Sequence, residues 1–289
     1  MKKKILVVGA SGQLGSAVMQ VQDSFHLMGM RHAQFDLLDT PLMRKVLEQE
    51  LPDLIINCAA YTNVEQAEED EEAAFLLNAG GVHELSKLCG EFSVPMIHLS
   101  TDYVFDGTKH EAYLEIDPTS PLNVYGKSKL RGEELALEEN DEVYVIRVSW
   151  LYAEGFNNFK NTILKLSTKL DELKVVDDQI AAPTFAGQLA EDLLRIAKVI
   201  LEQKPPGGVY HYSHDGNASW FDFAQSIKKF YQFETPVTPV DSAQFESKAK
   251  RPSFSKLNNS KLKETFDLSS IYWEEALQKC FEQENQAKK

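Results

Sequence analysis

The chain has 289 residues, 43% of them apolar, and a formal net charge of -14. That is enough for one large domain or two modest ones with a real core, and the acidic balance argues against nonspecific binding to nucleic acid or to an anionic membrane. No run is long and apolar enough to span a bilayer. Cys58, Cys89 and Cys280 stand singly, without zinc or disulfide spacing, as expected of reduced thiols in a cytoplasmic protein.

Lys4-Ile5-Leu6-Val7-Val8 is a continuous apolar run, the mark of a strand buried on both faces rather than of a secretory signal. Gly9-Ala10-Ser11-Gly12-Gln13-Leu14-Gly15 follows, spelling G-x-x-G-x-x-G, and an apolar periodic segment from Leu14 to Val21 reads as a helix. Strand, glycine turn and helix in that order can cradle a pyrophosphate. The glycines let backbone approach it, and the helix N-terminus faces its charge. A plain strand-to-helix turn with packing glycines would read the same way. Gly9, Ser11, Gly12, Gln13, Leu14 and Gly15 are the candidate dinucleotide contacts.

Phe25 to Gly29 reads as the second strand. NAD-preferring sites place an acid roughly 20 residues past the glycines, on the ribose 2′-hydroxyl. Met30-Arg31-His32 stands there instead, and Arg31 can pair with a 2′-phosphate, which favours NADPH and leaves NADH possible. Asp36 and Leu37 follow as further cofactor candidates, and Asp39 or Thr40 can cap the helix that ends near Glu50. Asp53 to Asn57 is a third strand. It ends in Cys58, Ala59, Ala60 and Tyr61, where small side chains let a ligand lie near backbone. A helix is expected from Glu71 to Glu91 with Asn78 inside it.

Val94 to Leu99 is the fourth strand, with Ser100, Thr101, Asp102 and Tyr103 at its end. Ligands of open parallel sheets bind outside the carboxyl ends of the strands, so hydroxyls here are placed to bond a substrate carbonyl; the same residues could simply form a capped turn. His98, inside the strand, reads as a core histidine. Tyr125 and Lys129 are four apart, one helical turn, on the same face. A nearby ammonium lowers the pKa of a phenol and makes it a usable acid or base. Glu142 to Ser149 is the fifth strand. Strands alternating with helices over residues 1–150 give an α/β fold with a Rossmann-type, doubly wound parallel sheet. Residues 151–289 read as a smaller mixed α/β segment that covers the cofactor and selects substrate, with about 178–205 returning to the first unit. Trp150 stands just before it and Arg251 lies late in it.

These pieces together resemble the extended short-chain dehydrogenase/reductase superfamily, and within it the dTDP-4-dehydrorhamnose reductase family. The resemblance runs through GASGQLG, NCAAYTNVEQAE, STDYVFDG, PLNVYGKSKLRGE, IRVSWLY, DDQIAAPT and RPSFSKLNNSKL. It implies Thr101, Tyr125 and Lys129 as the catalytic trio. The implied cofactor is NADPH, held by the glycine turn, Arg31, Asp36, Leu37, the Cys58–Tyr61 segment, Asn78, Ser100, Tyr125 and Lys129. Thr101, Asp102, Tyr103, Trp150 and Arg251 would meet the nucleotide sugar. The implied reaction is reduction of the C4 keto group of dTDP-4-dehydro-L-rhamnose, in a cytoplasmic monomer or homodimer that contacts neither nucleic acid nor membrane.

Two departures from the family stand out. Ala181 replaces a usual Gly, and Gly187 stands where some members carry a magnesium-binding Glu, with Glu191 a turn later, so no metal is expected. The alternatives are a nucleotide-sugar epimerase or dehydratase, or a noncatalytic subunit like the regulatory subunit of methionine adenosyltransferase. Dehydratases place Asp-Glu after the active-site Thr; here Asp102 is followed by Tyr103.

Overall fold

The computed structural model describes residues 2–287. β1 (Lys4–Val8) leads through a turn at Gly9, φ +74°, into α1 (Gln13–Gln20). β2 (His26–Met30), α2 (Thr40–Glu50) and β3 (Leu54–Asn57) follow. Asp39, not Thr40, caps α2: its carboxylate accepts from Leu42 N at 2.9 Å, and Pro41 lies in the first turn, where it sacrifices no hydrogen bond.

The single helix expected over Glu71–Glu91 is broken. Short α3 (Val64–Ala67) and α4 (Glu71–Phe75) lead into a π-helical turn over Leu76–Gly81, and α5 (Val82–Phe92) continues from it. The widened turn brings the Asn78 backbone so close to the next helix that a Cβ on Gly132 would lie 2.0 Å from Asn78 O. β4 (Met96–Thr101), α6 (Val124–Glu139) and β5 (Val143–Val148) complete the first half. Asn123 caps α6 by accepting from Gly126 N at 2.7 Å, a bond whose loss costs about 1 kcal/mol.

The second half contains β6 (Leu151–Tyr152), α7 (Phe159–Ser167), β7 (Leu173–Val176), β8 (Ile180–Ala181), β9 (Thr184–Phe185), α8 (Ala186–Gln203) and β10 (Gly208–Tyr212). β11 (Ala218–Ser219), α9 (Trp220–Tyr231), β12 (Val237–Val240), α10 (Ser260–Phe266) and α11 (Trp273–Ala287) finish it.

The main sheet is parallel, in the order β2-β1-β3-β4-β5-β10. Its sixth strand, β10, comes from the second half of the chain. Period-2 alternation sends Ile5 and Val7 to one face, under α1, α8 and α10, and Leu6 and Val8 to the other, under α2, α5 and α6. Both faces are covered, which is why the strands read as unbroken apolar runs. The chain reverses its direction of travel across the sheet between β1 and β3. That opens a crevice at their carboxyl ends.

A separate cluster around Tyr152, Phe223, Ile227, Trp273 and Leu277 holds the outer layer together. Buried Lys160 and Glu284 form an ion pair that ties α7 to α11. Tyr231 Oη joins it, donating to Glu284 Oε2 at 2.7 Å. Among the described residues no helix is long and apolar enough to cross a membrane.

Candidate active site

A cavity of about 720 Å³ opens over the crevice between β1 and β3 and runs to the ends of β4 and β5. At one end it is floored by backbone. A Cβ at Gly9 would lie 2.8 Å from Ala59 N, and one at Gly15 would lie 2.2 Å from Gly9 O, so only glycine lets the turn close. Gly12 caps α1 with no side chain over it, leaving the first-turn amides to an anion. Gly9, Ser11, Gly12, Gln13 and Leu14 line this end, with Cys58, Ala59 and Ala60 across from them and Leu37 at the margin. A bare helix N-terminus beside a backbone-only floor fits a dinucleotide pyrophosphate.

The reacting groups sit at the other end. Ser100, Thr101, Asp102, Tyr103, Tyr125 and Lys129 all line the cavity. Thr101 Oγ1 accepts from Tyr103 N at 3.2 Å and donates to Asp102 Oδ1 at 3.3 Å, and both Thr101 and Tyr125 line the cavity. The Asp102 carboxylate takes a 2.5 Å bond from Ser255 Oγ, and burial pushes its pKa up to about 7. Ser100 Oγ donates to Glu133, which is held in turn by Arg147 through a 2.6 Å bond from Nη2 and a 3.0 Å bond from Nε. This buried pair locks α6, carrying Tyr125 and Lys129, to β5.

The geometry corrects the expected influence of Lys129 on Tyr125. Lys129 Nζ donates to Leu99 O at 2.7 Å and lies 3.3 Å from His98 Nε2. With Lys129 engaged there, burial dominates at Tyr125 and pushes the phenol up to about 12, against the opposing influence of the Thr101 hydroxyl. The phenol is therefore fully protonated at neutral pH, the form a proton donor needs. Burial also brings Lys129 down to about 8, against the attraction of Glu133 and Cys58.

His98 adds to that. Asn57 Oδ1 accepts from Ala59 N at 3.1 Å, which turns Asn57 Nδ2 toward His98 Nδ1, also at 3.1 Å. With Nδ1 accepting, the neutral ring carries its hydrogen on Nε2, facing Lys129; this tautomer is assigned from the hydrogen-bond network. Burial holds His98 neutral. The expected core histidine thus borders the site.

Six expected site residues do not line the cavity: Gly15, Arg31, Asp36, Tyr61, Asn78 and Arg251. Gly15 is buried beneath the turn it permits. Arg31 is exposed, and its backbone N donates to Gln34 Oε1. The Asp36 carboxylate accepts from Leu38 N at 2.9 Å and so shapes its own turn. The Asn78 side chain is used up on Tyr61 N, Tyr61 O and Ser128 Oγ, a brace between the segment after β3 and α6. Arg251 pairs with Glu65 at 2.5 Å.

Trp150 does line the cavity, with φ at +46°, rare for a bulky residue and found where surroundings force it. Among the residues missed in the sequence are Phe159, Trp220 and Phe223 along the outer wall, and His32 and Phe35 near the end of β2. Trp220 follows a capping box, Ser219 with Asp222, that marks a helix start and says nothing about a pocket.

A family model described as the RmlD substrate binding domain matches residues 2–286. A dTDP-4-dehydrorhamnose reductase from Aggregatibacter actinomycetemcomitans is 35% identical over 95% of this chain and 97% of its own. A dTDP-4-keto-6-deoxy-D-glucose reductase from Streptomyces niveus is 33% identical over 97% of each. The crystal structure of dTDP-4-dehydrorhamnose reductase from Bacillus anthracis in complex with NADP superposes with a TM-score of 0.93. It is 32% identical, and the match covers 98% of this chain and 100% of that one.

Proposed function

The chain belongs to the RmlD substrate-binding-domain family, and from that premise we propose that it is an NADPH-dependent reductase of the C4 keto group of dTDP-4-dehydro-L-rhamnose. The product, dTDP-L-rhamnose, is a precursor of rhamnose-containing cell-surface polysaccharide. One observation carries this reading: a single cavity runs from a glycine turn floored by backbone to the Thr101, Tyr125 and Lys129 side chains.

NADPH when bound supplies the hydride to the C4 carbon, and NADH, lacking only the 2′-phosphate, can supply the same. The chain does the rest. The first-turn amides of α1 and the backbone of Gly9 and Gly12 hold the pyrophosphate. Ser11, Gln13, Leu14, Leu37, Cys58, Ala59, Ala60 and Ser100 border the cofactor. Gly15 and Asn78 act beneath it, by closing the turn and bracing Tyr61, while Arg31 and Asp36 are candidates at the 2′-phosphate end.

Tyr125 gives its proton to the C4 oxygen as charge develops there, and its phenolate is reprotonated from solvent. An alkoxide is a far stronger base than a phenolate, so a donor near 12 still transfers downhill. Thr101 bonds the same oxygen, and Lys129 holds the nicotinamide ribose. Asp102, Tyr103 and Trp150 border the sugar. Arg251 meets the phosphates once it leaves Glu65.

In this reading residues 1–150 hold the cofactor and residues 151–289 mainly the sugar, with about 178–205 returning to the first unit. The packing of α8 against α1 over the main sheet supports that return. The enzyme works in the cytoplasm, as monomer or homodimer, without nucleic acid or membrane.

The test is NADPH oxidation with dTDP-4-dehydro-L-rhamnose. Turnover is expected in the wild type and a loss of roughly two or more orders of magnitude in Tyr125→Phe. Undiminished turnover in the variant would remove Tyr125 from its role. The relative from Streptomyces niveus makes dTDP-4-keto-6-deoxy-D-glucose the second substrate to assay. If folded wild type that binds NADPH turns over neither sugar, the reductase reading fails.

A further inference from the structure

The outer wall contains a pair of tryptophans stacked face to face. The rings of Trp150 and Trp220 lie 3.5 Å apart at 7°, and Phe159 packs on Trp220 at 4.5 Å and 42°. All three line the cavity. Trp220 is therefore clasped between two rings, while Trp150, the residue with the left-handed backbone, is the one attached to the end of β5 beside the reacting hydroxyls.

The orientation of Trp220 is fixed at its polar edge as well. Nε1 donates to Gln179 Oε1 at 3.1 Å. One residue earlier, Ser219 Oγ donates to Asp177 Oδ1 at 2.5 Å, and β11 pairs antiparallel with β8. The loop Asp177-Asp178-Gln179 thus anchors the start of α9 at two points, and its third residue aims the indole. Across the stack, Thr184 N, at the start of β9 just past β8, donates to Trp150 O at 3.1 Å and secures the backbone of the partner ring.

We propose that Trp220 is a positioning residue for the substrate sugar: aimed by Gln179, it sets the plane of Trp150 by stacking, and so sets how the sugar's C4 face meets Thr101 and Tyr125. This rests on the reading of Trp150 as a sugar contact. A 6-deoxyhexose offers apolar C–H and methyl surface that an aromatic wall can cover, whereas an unconstrained indole would give that surface no fixed plane. Because a misplacement of about 1 Å can cost roughly 100-fold in rate, a ring that touches no reacting atom can still govern turnover.

The experiment compares wild type, Trp220→Ala and Trp220→Phe. Steady-state kinetics with dTDP-4-dehydro-L-rhamnose is run beside calorimetric Kd values for dTDP-L-rhamnose and for NADPH. Trp220→Ala is expected to lose roughly tenfold or more in kcat/KM for the sugar, with KM raised and kcat lowered together, and to weaken the sugar Kd. NADPH affinity should stay within about twofold, and Trp220→Phe, which keeps a stacking ring, should recover most of the loss.

A Trp220→Ala protein with wild-type melting behaviour and unchanged sugar kinetics and Kd would overturn the proposal. So would an equal loss of NADPH affinity, which marks a general structural role. The reductase reading fails separately, through absent wild-type turnover; the Kd comparison then still decides the role of Trp220.

Discussion

The two ends of the cavity are built by different means. The cofactor end is made of backbone: a glycine turn, a bare helix N-terminus and the small residues after β3, where added side-chain atoms would collide with main chain. Its parts lie within a few contiguous residues on two adjacent strands. The sugar end is made of side chains brought from far apart, Trp150, Phe159 and Trp220, on a layer that a buried ion pair holds across 124 residues. The first arrangement fixes a ligand common to many enzymes. The second can be altered one ring at a time, which is how a single scaffold can select among keto sugars.

Cutting what holds the outer layer should produce the largest effect. Lys160 is 0% exposed and Glu284 5%, so Lys160→Met strands a carboxylate in the interior. Such a break costs about 3–5 kcal/mol, whereas Lys160→Met with Glu284→Leu should recover much of it. Urea midpoints of the wild type, the single and the double variant measure this. A single variant as stable as wild type would mean that the outer layer does not depend on the pair.

The corresponding change at the cofactor end is Gly15→Ala. Its Cβ would sit 2.2 Å from Gly9 O and 2.8 Å from Ala10 Cα, both backbone, so the turn itself must move. Overpacking of this kind costs about 1–3 kcal/mol. NADPH affinity should fall with it, while the Kd for dTDP-L-rhamnose holds. Calorimetry on both ligands separates the two ends. Equal losses for both would show the cavity to be one mechanical unit.

Lys129, between the ends, makes the comparison depend on pH. Burial lowers it from 10.5 to about 8. As pH rises through 8 the ammonium is lost, so kcat/KM for NADPH, which reports the free enzyme, should fall about tenfold per pH unit above that point. Stability should move the other way. A depressed lysine binds fewer protons folded than unfolded between pH 8 and 10.5, so its own contribution to stability grows with pH across that window. Lys129→Arg should carry no alkaline limb in this range, and a limb that persists belongs to another group.

The same contrast governs what could be read from the sequence. Apolar runs with period-2 faces, the glycine turn and the Tyr125–Lys129 spacing are local, and a one-turn helix rule or a strand rule suffices for them. The π-turn at Leu76–Gly81 was illegible, because what it accommodates is the close approach of α6 at Gly132. So was the role of Asn78, whose partners lie 17 and 50 residues away. The expected effect of Lys129 on Tyr125 followed correctly from helical spacing but ignored Leu99 O and His98, which come from another strand. Trp220 carried only the signal of a helix start. Its meaning depends on Gln179 and Trp150, 41 and 70 residues distant, and neither contact has a sequence period.

The smallest effect expected is at Arg251, where the sugar end meets solvent. Its guanidinium pairs with Glu65 at 2.5 Å, with the two side chains 27% and 42% exposed. An exposed pair of this kind is worth about 0.2–1 kcal/mol, so Glu65→Gln should leave the melting temperature almost unchanged. If Arg251 binds the nucleotide's phosphates, Glu65 competes for it, and removing that charge should lower KM for the dTDP sugar. The energy of the competing pair bounds the gain at about fivefold. Arg251→Ala should move KM the other way, and the double variant should match Arg251→Ala, because Glu65 then has nothing to withhold. A KM that ignores all three changes would confine Arg251 to tying its own segment to α3, and the sugar end would then draw its recognition from the aromatic wall and the hydroxyls alone.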